Sequence, residues 1–183
     1  MWWRTDRRNN PLFKRFKRAQ AGVTALEFAF VGGPFLYLLC VIFETGLMLF
    51  SEYIIENGVA TAARMIRTGQ VQAANMTAGD FKNVVCGNMS AFLKCNQYLH
   101  IDVRKFTAFA DIVLPSATTG QELSSDVTTN SKFQPGAAME VVVVRAYYEW
   151  RLFVPGLSHL ANLSGSRRLL TSGAAFRNEP FGS

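Results

Sequence analysis

Catalytic signatures are scarce in this chain of 183 residues. Its only histidines are His100 and His159, which leaves little for general acid–base work. His100 falls on the polar side of an alternating stretch and reads as a surface residue rather than a base. No G-x-S-x-G, H-E-x-x-H or Walker-type glycine loop occurs, so there is no nucleophile elbow, zinc helix or phosphate cradle. The chain is therefore not expected to be an enzyme, and no cofactor is expected. Cysteine is nearly as sparse, at three residues. Cys86, Cys95 and His100 lack the spacing of zinc fingers or ribbons, so no metal site is expected.

Basic excess is missing from most of the chain. Residues 1–22 hold seven basic residues against Asp6, an excess equal to the whole net charge of +6. The remainder is balanced at 12 basic and 12 acidic residues. A nucleic-acid-binding protein would carry its basic patch on the folded domain, so no nucleic-acid partner is expected. Charge is missing altogether from residues 28–43.

That uncharged run lies inside Gly22 to Phe50, GVTALEFAFVGGPFLYLLCVIFETGLMLF, around which the chain is organised. A helix apolar on every face must be buried in protein or in lipid. From Val23 to Phe50 it would be about 42 Å long, enough to span a hydrocarbon core of about 30 Å with some tilt. The basic side of such a helix stays in the cytoplasm. Residues 1–22 are therefore expected inside, and residues 51–183 beyond the inner membrane. Trp2 and Trp3 suit an arm lying along the membrane surface; the alternative is a disordered basic tail. An ordinary secretory signal would have an apolar region of about 7–15 residues and then a small-residue cleavage site. This run is longer and no such site follows. Cys40 reads as a small apolar packer.

Two carboxylates bracket the run. Glu27 sits at its threshold, five places after Gly22, and a glycine there would let backbone enter a protease site unobstructed. This arrangement resembles the type IV prepilin signal, which a membrane peptidase cuts just after the glycine. The mature chain would then begin at Val23 and keep its apolar stretch. A carboxylate in lipid is expensive and needs a cationic partner. The new α-amino group of Val23, on this chain or a neighbour, would supply one, and the helix dipole would help. The bland alternative leaves Glu27 in the headgroup layer. Glu44 lies about 100° round the helix from Glu27 and some 25 Å further on, so it is expected at the outer interface or against a partner helix. Between them Gly32-Gly33-Pro34 should loosen and kink the helix.

The helix should continue outside the membrane through Thr68. Ile54, Ile55, Val59, Ala62, Ala63 and Ile66 make one apolar face, with Glu52, Glu56, Asn57 and Arg64 opposite. Gly69 is the expected terminator. With Gly22 through Glu27-Phe28, Pro34, Glu44, Asn57, Ala62-Ala63-Arg64 and Thr68-Gly69, the chain resembles the TadE-like pseudopilins of the tight-adherence (Tad/Flp) branch of type IV pilus systems. Residues Phe176 to Phe181 are similar to members of that group as well. The resemblance implies a minor pseudopilin supporting pilus priming or assembly, in a setting of adhesion and biofilm formation. It implies as partners a prepilin peptidase, inner-membrane platform proteins, other pseudopilins and the major pilin. The competing reading is an unprocessed, single-pass anchored periplasmic binding domain.

Thr77 to Asp80 resembles a capped helix start, with Phe81, Val84, Val85, Met89 and Phe92 at helical spacing. Cys86 and Cys95 fall in the exported part, where disulfides persist; they are a candidate bridge, with two free thiols as the alternative. Leu99, Ile101 and Val103 alternate with His100, Asp102 and Arg104, as in a half-buried strand. Pro115 to Gly136 is expected to be a long loop, rich in serine and threonine over 116–131. Met139 to Val154 is the strongest strand signal, apolar enough to be covered on both faces, and Arg168 to Phe176 can pair with it. The expected fold is α+β: a basic leader (1–22), a transmembrane helix with its extension (23–69), and a periplasmic domain (70–183) with a second helix on an antiparallel sheet.

Overall fold

The computed structural model describes residues 21–89, 93–120, 122–125, 132–154 and 156–182. The basic leader up to Gln20, Phe92 and the serine–threonine run 126–131 lie outside these residues. The chain divides after Phe43 into two compact units.

Helix α1, Ala21–Arg67, contributes to both. In the first unit it is a bare apolar rod. Phe28, Phe30 and Val31 are each more than 70% exposed, and Leu36, Leu38 and Ile42 are more than half exposed. The helix passes through Pro34 without ending. The stretch is long and apolar enough to cross a membrane; so much exposed hydrocarbon on a folded segment needs a lipid or protein cover.

In the second unit the same helix becomes a core element. Glu44, Met48, Ser51, Ile55, Val59, Ala62 and Ile66 form a buried seam, with Ala63 beside it. Their spacing of three and four residues keeps them on one face. Ile55 and Ile66 are fully buried, which stabilises the fold by about 1.5–3 kcal/mol for each side chain. Gly69 closes the helix at φ 79°, the left-handed conformation that glycine adopts without penalty. A side chain there would also meet the Phe181 ring, since a Cβ would lie 2.5 Å from it. Next to it Glu179 N–H donates to the Arg67 carbonyl at 2.9 Å, and the Arg67 and Glu179 side chains pair at 3.3 Å. The chain's last residues are thereby pinned to the end of α1.

A short turn of helix α2, Gln70–Ala73, leads to α3, Ala78–Gly87. Thr77 caps α3 with a full capping box: its hydroxyl accepts from Asp80 N–H, and the Asp80 carboxylate accepts from Thr77 N–H. The hydrogen bonds from Thr77 hold the Asp80 carboxyl below its usual pKa. Phe81 and Val85 bury fully. Met89 is also in the core but lies past the helix end. Cys86 and Cys95 are disulfide-bonded, with Cα atoms 5.6 Å apart, which joins α3 to the short helix α4, Cys95–Tyr98.

The sheet follows. Strand β1, Leu99–Phe106, lies beside β4, Val141–Arg151, which lies beside β5, Arg167–Arg177. Both pairings are antiparallel. Leu99, Val103, Val142, Val144, Ala146, Tyr148, Trp150 and Leu170 share one apolar cluster with the α1 seam and α3. Central strand β4 is covered on both faces, as its unbroken apolar character requires. It is shorter than Met139 to Val154, because Met139 takes a turn conformation at φ 65°.

Two expectations need correction. The polar side of β1 is not left to solvent: Asp102 is 1% exposed. Its carboxylate accepts from Arg104 at 2.8 Å, Arg145 at 2.7 Å and Lys132 N–H at 3.0 Å. Burial alone would raise the Asp102 carboxyl, but these bonds outweigh it and hold the pKa below the ordinary carboxylate value. The cover comes from Pro115 to Gly136, which is not simply a loop. It carries the two-residue strands β2, Thr118–Thr119, and β3, Glu122–Leu123, paired as a hairpin. Ala117 and Leu123 pack on Tyr147, Leu163 and Leu169, and Phe133 bridges to Val103. A few apolar residues in a polar stretch carried this second layer, too few to give a periodic signal.

Candidate functional site

The residues singled out at the start of the apolar run stand in the open. Nothing lies within 4 Å of a Cβ placed at Gly22. Val23 is 51% exposed and Glu27 is exposed. Glu27 lies one helical turn past Val23 on the same face. The first turn of α1 holds no acidic residue. Glu27 is the fifth residue counted from Val23, close to the end that cutting after Gly22 would expose.

Glu44 is placed quite differently. Within its own chain it is enclosed, 2% exposed inside the second unit. Phe153 N–H donates to one of its carboxylate oxygens at 2.6 Å, and Val154 N–H donates to the other at 2.8 Å. Glu44 thus caps the backbone where the chain leaves β4. Charge-assisted bonds of this kind are about twice as strong as neutral ones. A signal for its burial, though not for its donors, was present in the sequence: counting back along the seam from Ile66 through Ile55, Ser51 and Met48 lands on Glu44.

Beside this clamp a cavity of about 490 Å³ opens between Lys94, Tyr98, Tyr148, Trp150, Arg151 and Phe153. Trp150 meets Phe153 edge-on at 5.6 Å. Arg167 is paired with Glu149, whose other oxygen lies 3.2 Å from His100. His100 is thus tied into a strand-face ion cluster. Among the described residues no group of three or more histidine, cysteine or acidic side chains is placed to hold a metal ion; Cys86 and Cys95 are committed to each other.

Among the described residues one helix, α1, is long and apolar enough to cross a membrane, and it runs on into an α+β domain. The family described as TadE-like protein has a model that matches residues 22–64 of this chain. The resemblance read from the sequence therefore holds from Gly22 along most of α1, and it points to a membrane protein associated with Tad pili. Neither the curated proteins nor the solved structures gave a match.

Proposed function

We propose that this chain is a minor pseudopilin that supports priming or assembly of a Tad/Flp-type pilus at the bacterial inner membrane. The observation that carries this reading is where the family match falls. It starts at Gly22 and follows the exposed apolar helix into the core of the second unit. In this reading a prepilin peptidase cuts after Gly22, and the apolar helix of the mature chain remains in the bilayer. The basic leader faces the cytoplasm and residues 51–183 lie on the periplasmic side, because basic residues resist translocation. Glu27 pairs with the α-amino group of Val23 on this chain or on a neighbouring subunit, so that neither charge is alone in lipid. The role is structural rather than catalytic. Platform proteins, other pseudopilins and the major pilin bind along the exposed part of α1, where Gly32 and Gly33 permit close helix approach.

N-terminal sequencing of the protein from native membranes tests this directly. The mature chain is expected to begin at Val23, and Gly22→Asp to leave the precursor uncut. Glu27→Val is expected to be cut normally and to impair piliation. A functional chain that retains Met1 would favour an unprocessed anchored domain instead.

A further inference from the structure

We propose that the chain leaving β4 inserts Phe153 and Val154 into the outer leaflet of the bilayer. Glu44 is the acceptor that makes this possible. The inference rests on the membrane-anchored reading of α1 and adds a second point of lipid contact.

The argument begins with depth. Along the part of α1 that belongs to the second unit, the face opposite the buried seam carries Leu49, Phe50 and Tyr53, at 58%, 54% and 63% exposure. Beyond them it turns polar at Glu56, Asn57, Thr61 and Arg64, all exposed. The change from lipid to water therefore falls near Tyr53, a residue type that favours that boundary. Glu44 lies nine residues before Tyr53, about 13 Å deeper along a helix rising 1.5 Å per residue. Because Phe153 and Val154 are bonded to its carboxylate, they sit at that depth too. Headgroups and interface occupy only about 5–8 Å on each side of the hydrocarbon, so the tip reaches acyl chains.

The chemistry of the turn fits this placement. Residues 152–157 read Leu-Phe-Val-Pro-Gly-Leu, with no polar side chain. Phe153 is 63% exposed, although the fold offers an aromatic cavity next to it. Irregular backbone cannot enter hydrocarbon with its donors unmet. At Phe153 and Val154 that need is met, because Glu44 accepts from both N–H groups. An exposed turn in water would need no buried carboxylate, since water would serve as the acceptor. Lys94 and Arg151, both exposed near the same cavity, are placed to meet lipid phosphates.

The test uses the full chain in vesicles of phosphatidylethanolamine and phosphatidylglycerol. In a Cys40→Ala background, which removes the free thiol, single cysteines replace Phe153, Val154, Leu38 or Val113 and carry an environment-sensitive fluorophore. Nitroxides on the acyl chains report lipid contact, and iodide reports water. Labels at 153 and 154 are expected to be quenched by acyl-chain nitroxide several-fold more than the label at 113, and to resist iodide as the label at 38 does. If they behave like position 113 while 38 stays in lipid, the inserted turn is wrong and the anchored helix stands. If position 38 is also in water, the anchored reading fails and takes this inference with it. Protection from both quenchers means protein covers the turn, a second copy or a partner, and that also overturns the proposal.

Discussion

Glu27 and Glu44 sit on one helix, seventeen residues apart, and meet opposite surroundings. Glu27 projects from a rod whose neighbours are nearly all exposed apolar side chains. Glu44 is enclosed, and both of its oxygens accept backbone hydrogens. A buried carboxylate without donors would cost several kcal/mol; Glu44 is supplied with donors by its own fold, whereas none of the described residues bonds to the Glu27 carboxylate. Among its described residues the first unit therefore leaves hydrocarbon uncovered and Glu27 exposed. In the second unit the Glu44 and Asp102 carboxylates are both met by donors of the same fold. This difference separates a surface built for association from a domain built for stability.

The sharpest way to break the comparison is to remove each carboxylate in turn. Glu44→Ala leaves two backbone donors without an acceptor and is expected to cost about 3–5 kcal/mol. Chemical unfolding of the full chain in detergent would read this as a lower midpoint. Glu27→Ala is expected to change the same midpoint by less than about 0.5 kcal/mol, as for an exposed site. Equal losses would erase the distinction between the halves.

Asp102 sharpens it through pH. Its folded carboxyl is held below the ordinary value. The stability it contributes is therefore fully present above about pH 4, the unfolded carboxylate range, and is lost as pH falls through the folded pKa. The midpoint should fall on acidification below that range, and Asp102→Asn should flatten the fall while lowering stability at neutral pH. An unchanged acid limb in that variant would remove Asp102 from the account.

Glycines give the smallest contrast. Gly69→Ala meets both a left-handed backbone and the Phe181 ring, and is expected to destabilise by about 1–3 kcal/mol. Gly33→Ala meets nothing within 4 Å and is expected to favour the helix by about 0.5–1 kcal/mol. Helix content and thermal midpoints of the two variants should move in opposite directions.

Much of this architecture could be read from the residues. The long apolar helix, its packed extension, the stop at Gly69, the capped second helix and the central strand each have a local or periodic cause. Hidden from such reading were the surroundings of polar groups. Asp102 looked like a surface acid because alternation marks which side of a strand a residue is on, not what lies above it. Glu44 looked like a membrane anomaly because its two donors come from Phe153 and Val154, more than a hundred residues away.

The sequence by itself determined which segment is apolar enough to cross a membrane and where the main helices and the central strand fall, because hydropathy, proline, glycine and capping act over a few neighbouring residues. Only the tertiary structure decided which charges are enclosed and by what: the Glu44 clamp, the Asp102 cluster and the Phe181 lid on Gly69. Each of these depends on segments brought together from distant parts of the chain, and hydrogen-bond partners at that range leave no periodic trace.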